Sequence, residues 1–180
     1  MPARRNSGAE ALPKLAATRR QLSMYVPAKV GHDIEALRRI LDPVQHRLIP
    51  ARVTLAREAD LDGLPEAELR SGLSDPALSA VTLAFGQAER FSSHGLLLPC
   101  QGGEEGFQAM RQRLLGSGAT RVERSHLTLA HPRNPKAPGN SLAAARSLPD
   151  AFTITFPTIV LIEQRAGGPW VVLPEINLLA

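Results

Sequence analysis

Ser125-His126-Leu127-Thr128-Leu129-Ala130-His131-Pro132 alternates polar and apolar side chains. In a strand, successive side chains point to opposite faces, so His126, Thr128 and Ala130 share one face and Leu127, Leu129 and His131 the other. An imidazole and a hydroxyl then project together, about 6.5–7 Å apart along the strand, while the leucines face a core. Arg52-Val53-Thr54-Leu55-Ala56-Arg57-Glu58 repeats the pattern: a basic residue, an apolar one, Thr-Leu-Ala and a second basic residue. Two like strands predict two like halves. Val81-Thr82-Leu83-Ala84 also carries Thr-Leu-Ala, with Ala80 in the place of the basic residue, so part of the likeness is ordinary strand composition.

Working outward, Gln21 to Val26 reads as a strand, and Pro27 to Gly31 turns into a helix whose apolar face is Ile34, Leu37, Ile40 and Leu41, stopped by Pro43. Leu48 to Arg57 is the first motif strand, and Pro65 opens a short helix through Leu69 and Leu73. Ala80 to Phe85 and Phe91 to Pro99 read as strands. A helix follows Gly103, with Glu104 and Glu105 suited to its N-terminus, a buried stripe of Phe107, Met110, Leu114 and Leu115, and Gly116 as its end. After the second motif strand, Asn140 is the expected cap of a short helix over Leu142 to Arg146. Phe152, Ile154 and Phe156 alternate with threonines in a strand, and a hairpin of Ile159 to Gln164 and Trp170 to Leu173 turns near Gly167-Gly168. Strand-helix-strand occurs twice, with hairpins between and after. That order predicts an α+β fold with an antiparallel or mixed sheet.

The net charge of +4 is concentrated at the start, where Arg4, Arg5, Lys14, Arg19 and Arg20 face only Glu10 and the rest of the 180-residue chain is balanced. Residues 1–19 are expected as a basic, disordered tail and residues 20–180 as a single domain. A phosphate site must therefore be local. The single cysteine, Cys100, rules out an internal disulfide framework and fits a reducing compartment. With no apolar run of membrane-span length and no secretory h-region in Met1 to Arg20, the expectation is a cytoplasmic protein with no membrane and no obligate protein partner.

Competing chemistries lack their residues. His126 and His131 point to opposite strand faces and cannot share a metal, and no zinc spacing of cysteines exists, so neither metal nor cofactor is expected. Gly102-Gly103 lacks the Lys-Ser/Thr of a phosphate loop and runs into two glutamates, and no Gly-x-Ser-x-Gly elbow occurs.

Residues Leu48 to Glu58 and Ser125 to Asn134, with the elements around them, resemble the two-histidine phosphoesterase superfamily, specifically bacterial proteins of the 2′-5′ RNA ligase family. The resemblance spans about residues 20–178. It implies two pseudo-symmetric lobes with helices outside, each giving a His-x-Thr/Ser strand to a central cleft. It also implies metal-independent action on the cyclic phosphate of RNA ends or small nucleotides. In that frame His126 is catalytic, and Thr54 and Thr128 hold phosphate oxygens.

Arg52 is the departure, because it stands where the family has its first histidine. A guanidinium stays protonated and cannot act as a base, but it binds phosphate by paired hydrogen bonds. The expectation is a cyclic phosphodiesterase weakened by the loss of one imidazole, with Arg52 binding substrate; the alternative is a non-catalytic module that grips phosphorylated nucleotides or RNA ends. His32, His46 and His94 are candidate substitutes for the missing histidine, although each reads first as a loop or surface histidine. Arg133 and Lys136 are further candidate phosphate contacts.

Overall fold

The computed structural model describes residues 18–116 and 123–179. Its elements in chain order are β1 (Thr18–Tyr25), α1 (Ala28–Leu41), α2 (Pro43–Leu48), β2 (Arg52–Ala56), α3 (Glu58–Leu61), α4 (Glu66–Leu73), β3 (Val81–Phe85) and β4 (Glu89–Phe91). Then come β5 (Gly95–Gly102), α5 (Glu104–Leu115), β6 (His126–Ala130), α6 (Leu142–Ala145), β7 (Phe152–Phe156), β8 (Thr158–Arg165) and β9 (Trp170–Asn177). The strands form one sheet in the order β7-β3-β5-β6-β2-β1-β8-β9, with β4 paired to β5. The expected α+β architecture is present: an antiparallel sheet of two halves with helices on its periphery.

The halves repeat a strand-helix-strand unit. β1-α1-α2-β2 corresponds to β5-α5-β6, and in each unit the two strands pair antiparallel. The units meet where β2 pairs with β6. The motif strands are thus hydrogen-bonded neighbours at the centre of one sheet, not strands facing each other from separate sheets. α1 packs on β6 and α5 on β2 and β3, so each helix supports a strand of the other half.

The core lies between the helices and one sheet face. Val53, Leu55, Leu127 and Leu129 are buried there with Leu22, Met24, Phe107 and Leu114, each contributing roughly 1.5–3 kcal/mol of burial. Gly103, at φ +84°, begins α5 where an added Cβ would lie 2.0 Å from the Thr82 carbonyl oxygen, so only glycine fits.

Several elements differ from the sequence reading. β1 begins at Thr18, three residues before Gln21, because Arg19 and Arg20 join the ladder to β8 and bond Glu58 at 2.6 Å and Glu163 at 3.0 Å. The rest of the expected tail lies outside the described residues. Pro43 does stop α1, but it also opens α2: the Asp42 carboxylate caps the new helix by accepting from Gln45 N at 2.9 Å. α2 takes Leu48, which shortens the motif strand to Arg52–Ala56.

Ile40 is 54% exposed, since Ile34, Leu37 and Leu41 complete the buried stripe and the neighbouring buried position goes to Arg38. The Phe91–Pro99 strand is interrupted by a tight turn with positive φ at Ser92 and Ser93. Ser141, not Asn140, caps α6, accepting from Ala144 N at 3.1 Å; Asn140 is buried and donates to the Leu41 carbonyl.

Candidate active site

The sheet face opposite the core carries the motif polar residues. Val53 opposite Leu127 fixes the register, which sets Arg52 across from Thr128 and Thr54 across from His126. In both strands the burial pattern is the same, with the motif polar residues half-buried and the apolar ones between them buried. Arg52, Thr54, His126 and Thr128 therefore form a square on one face, with Arg52 diagonal to His126 and the two threonines on the other diagonal.

β1 extends the square. Ser23 is opposite Thr54 and Tyr25 is opposite Arg52. Two rows result, Ser23-Thr54-His126 and Tyr25-Arg52-Thr128, bordered on β5 by Pro99 and Leu97. Sequence reasoning read β1 as a strand but gave it no place in the site, although Gln21-Leu22-Ser23-Met24-Tyr25 alternates in the same way as the motif strands. Beyond β1, Ile49, Val160 and Ile162 form a small second buried apolar cluster, with Tyr25 and Trp170 packed against it.

His126 Nδ1 lies 3.0 Å from the Arg124 carbonyl oxygen. A carbonyl only accepts, so Nδ1 carries the proton, and in the neutral ring Nε2 keeps its lone pair for a reacting group. The ring is anchored from behind: Glu104 on α5 accepts from Ser125 N at 3.1 Å and from the Ser125 hydroxyl at 2.6 Å, just before His126. Position 52 has the matching device, for Glu35 on α1 accepts from Ala51 N at 2.5 Å.

Among the described residues Arg52 is a cation without a paired counter-ion. Its guanidinium donates to Gln21 Oε1 at 3.4 Å and sits 5.8 Å from the centre of the Trp170 ring, and among the described residues no carboxylate pairs with it. Burial, with help from the Arg38 and Arg19 charges and against the pull of Tyr25 and Glu58, lowers its pKa to about 10. It stays charged at neutral pH. Among the described residues two buried polar atoms on this face find no hydrogen-bond partner, Arg52 Nε and Ser23 Oγ, and such atoms are costly unless a ligand or water completes them.

The other candidates lie elsewhere. His32 is exposed on α1 beside Asp33 at 3.1 Å; His46, on α2, has Nε2 3.8 Å from Glu35; His94, in the β4–β5 turn, has Nε2 2.8 Å from the Asn134 carbonyl oxygen. Arg133 and Lys136 are exposed on the segment after β6. His131 lies past the end of β6, its N–H donating to Asp42 at 2.8 Å, and burial and Arg133 lower its pKa. Cys100 is half-buried and donates to the Gly102 carbonyl. Among the described residues no group of three or more His, Cys, Asp or Glu is arranged to hold a metal ion, and no helix is long and apolar enough to cross a membrane.

No protein-family model and no curated protein sequence matches the chain. Solved structures do. Escherichia coli LigT in complex with 3′-AMP aligns with a TM-score of 0.62 at 18% identity, covering 91% of this chain and 99% of LigT. The chain has the LigT fold. A protein described as a phosphoesterase shares that fold at TM-score 0.60 and 14% identity, with coverage of 93% and 100%. The Thermus thermophilus protein TT0787 does so at 0.53 and 17%, with coverage of 89% and 97%. These structural alignments show the LigT fold over nearly the whole chain.

Proposed function

We propose that the square of Arg52, Thr54, His126 and Thr128 binds the phosphate of a nucleotide or RNA end and slowly hydrolyses a 2′,3′-cyclic phosphate. The observation that carries this reading is the diagonal on one sheet face of a guanidinium that no carboxylate among the described residues pairs with and an imidazole whose Nδ1 is held by a carbonyl, leaving Nε2 as the nitrogen with a lone pair. Arg52 supplies charge and paired donors for phosphate oxygens, and the threonine hydroxyls flank them. His126 Nε2 takes a proton from water as the water oxygen bonds to phosphorus, and the bond to the leaving ribose oxygen breaks. No metal takes part in these steps. The LigT fold adds support, since LigT is known in complexes with 3′-AMP, phosphate, ATP and NADP+.

Arg52 also favours a second reading, a module that binds phosphate without turnover, because a group charged up to about pH 10 does not exchange protons at neutral pH. One experiment separates the two: turnover of a nucleoside 2′,3′-cyclic phosphate and calorimetric binding of the matching 3′-monophosphate, with the natural protein and His126→Ala. The hydrolytic reading expects slow turnover that His126→Ala abolishes while binding persists. Binding without turnover establishes the module, and the absence of both removes the phosphate site.

A further inference from the structure

Opening a cyclic phosphate needs a base for water and an acid for the departing ribose oxygen. His126 fills one role, and Arg52, at the diagonal position, can fill neither. A tyrosine stands beside it. Tyr25 is the direct cross-strand neighbour of Arg52, on the same sheet face and in the same row. Its ring packs with Ile49, Val160 and Ile162. On the row Tyr25-Arg52-Thr128 its side chain starts about 4.8 Å from that of Arg52, near enough for the Arg52 charge to act on the phenol.

Resting on the hydrolytic reading above, we infer that Tyr25 is the general acid of this site, acting with Arg52 in place of the imidazole missing at position 52. Burial raises the Tyr25 pKa above its usual value while the Arg52 charge pulls it down. The phenol therefore enters the reaction protonated, and the cation beside it favours the phenolate as it forms. The step balances. The water oxygen bonds to phosphorus and its proton goes to His126 Nε2; the bond from phosphorus to the ribose 2′-oxygen breaks, and that oxygen takes the Tyr25 proton. Imidazolium and phenolate then exchange the proton through solvent. Ser23, opposite Thr54 and with a buried unpartnered hydroxyl, adds a further polar group to the same face.

The test uses Tyr25→Phe, which keeps the ring that covers Val160 and Ile162, and two substrates: a nucleoside 2′,3′-cyclic phosphate and its analogue with sulfur in place of the leaving 2′-oxygen. A thiolate leaves without protonation, because a thiol is far more acidic than an alcohol. Tyr25→Phe should slow the oxygen substrate by roughly 10²-fold or more and leave the sulfur substrate little changed. In an Arg52→His background, where an imidazole supplies the acid, Tyr25→Phe should cost little on either substrate. Equal losses on both substrates assign Tyr25 a structural role and overturn the inference, as does an undiminished rate on the oxygen substrate or a full loss in the Arg52→His background. If the natural protein turns over neither substrate, the hydrolytic reading falls and the acid role with it; in the other failures the hydrolytic reading survives.

Discussion

Glu104 holds Ser125 at two points, accepting from its main-chain N–H at 3.1 Å and from its hydroxyl at 2.6 Å, one residue ahead of His126. Glu35 does the same for the main chain of Ala51, one residue ahead of Arg52. Each glutamate lies on the helix of its own strand-helix-strand unit, so both motif strands are gripped at the same relative position. The grip fixes where each strand begins, and through the period-two alternation it fixes which face receives residues 52 and 126.

Removing the Glu104 carboxylate should cost stability and activity together. Glu104→Ala leaves the Ser125 N–H and hydroxyl without their acceptor and strips Gln108 of a partner at 2.8 Å. An orphaned buried donor costs about 1–3 kcal/mol. The melting temperature should fall by several degrees, and His126-dependent turnover should fall further than the stability loss explains. Glu104→Gln, which keeps one acceptor oxygen, should recover part of both. An unchanged melting temperature in Glu104→Ala would show that the grip does not hold the strand.

Acid should unfold the protein through a small set of carboxylates. Burial pushes the Glu104 pKa up, but hydrogen bonds from Ser125, Gln108 and Cys100 bring it below its usual value. Glu58, against its own burial, is lowered by its backbone N–H, Arg19 and Gln21, and Glu163 is lowered by Arg165 and Arg20. A depressed carboxylate adds stability that is present above its unfolded pKa of about 4.3 and is lost as pH falls through the folded value. Melting temperature should therefore be flat above about pH 5 and drop below about pH 4, with a shallower drop in Glu104→Gln. A melting temperature that holds steady down to pH 3 contradicts these assignments.

Asp42 joins the two halves. Its buried carboxylate accepts from Gln45 N at 2.9 Å, from His131 N at 2.8 Å and from Asn134 Nδ2 at 2.9 Å, tying the α1–α2 junction to the exit of β6. Asp42→Ala should destabilise by at least ~2 kcal/mol, since hydrogen bonds to a charged acceptor are worth about 1.5–3 kcal/mol each. In urea the midpoint should move down with the slope unchanged. A midpoint shift smaller than that of an exposed control such as Asp33→Ala would rule out the tie.

What the sequence made legible is what period two over-determines. In β2 and β6 the buried Val53, Leu55, Leu127 and Leu129 force the residues between them onto the opposite face, so each strand's polar face could be read from alternation, while the β2–β6 pairing that closes the square could not. β1 obeys the same rule, but its importance depends on pairing with β2, a contact between segments about thirty residues apart that no local pattern announces. The Glu35 and Glu104 grips are also long-range: Glu104 read only as a charge suited to a helix start. Pro43 carried two meanings, a stop for one helix and a first-turn residue for the next, and only the Asp42 cap decides that both apply. Ile40 was misassigned because Arg38, held by Glu35 at 2.7 Å and the Ile49 carbonyl at 3.0 Å, occupies an interior position that composition gives to an aliphatic side chain.

Arg52→His is expected to raise cyclic phosphodiesterase turnover and weaken phosphate binding at once. Position 52 already faces the same side as His126 and is held by the Glu35–Ala51 hydrogen bond, so an imidazole there enters the site without movement of the backbone. A second proton-transfer group on that diagonal should raise the rate by about 10²–10⁴-fold over a site lacking one, less whatever Tyr25 already supplies. The rate should also acquire a bell-shaped dependence on pH, because one imidazole must be neutral while the other is charged. Affinity for a nucleoside 3′-monophosphate should fall, since the variant loses a permanent charge and its paired donors. The folded state should lose a burden too: a buried guanidinium whose pKa is lowered to about 10 is penalised for its charge, and an imidazole can lose its proton instead. Parallel measurement of turnover, binding and melting temperature checks all three. If Arg52→His leaves the rate unchanged while natural turnover is already fast, position 52 has no part in proton transfer, and the diagonal of Arg52 and His126 is not the reacting pair.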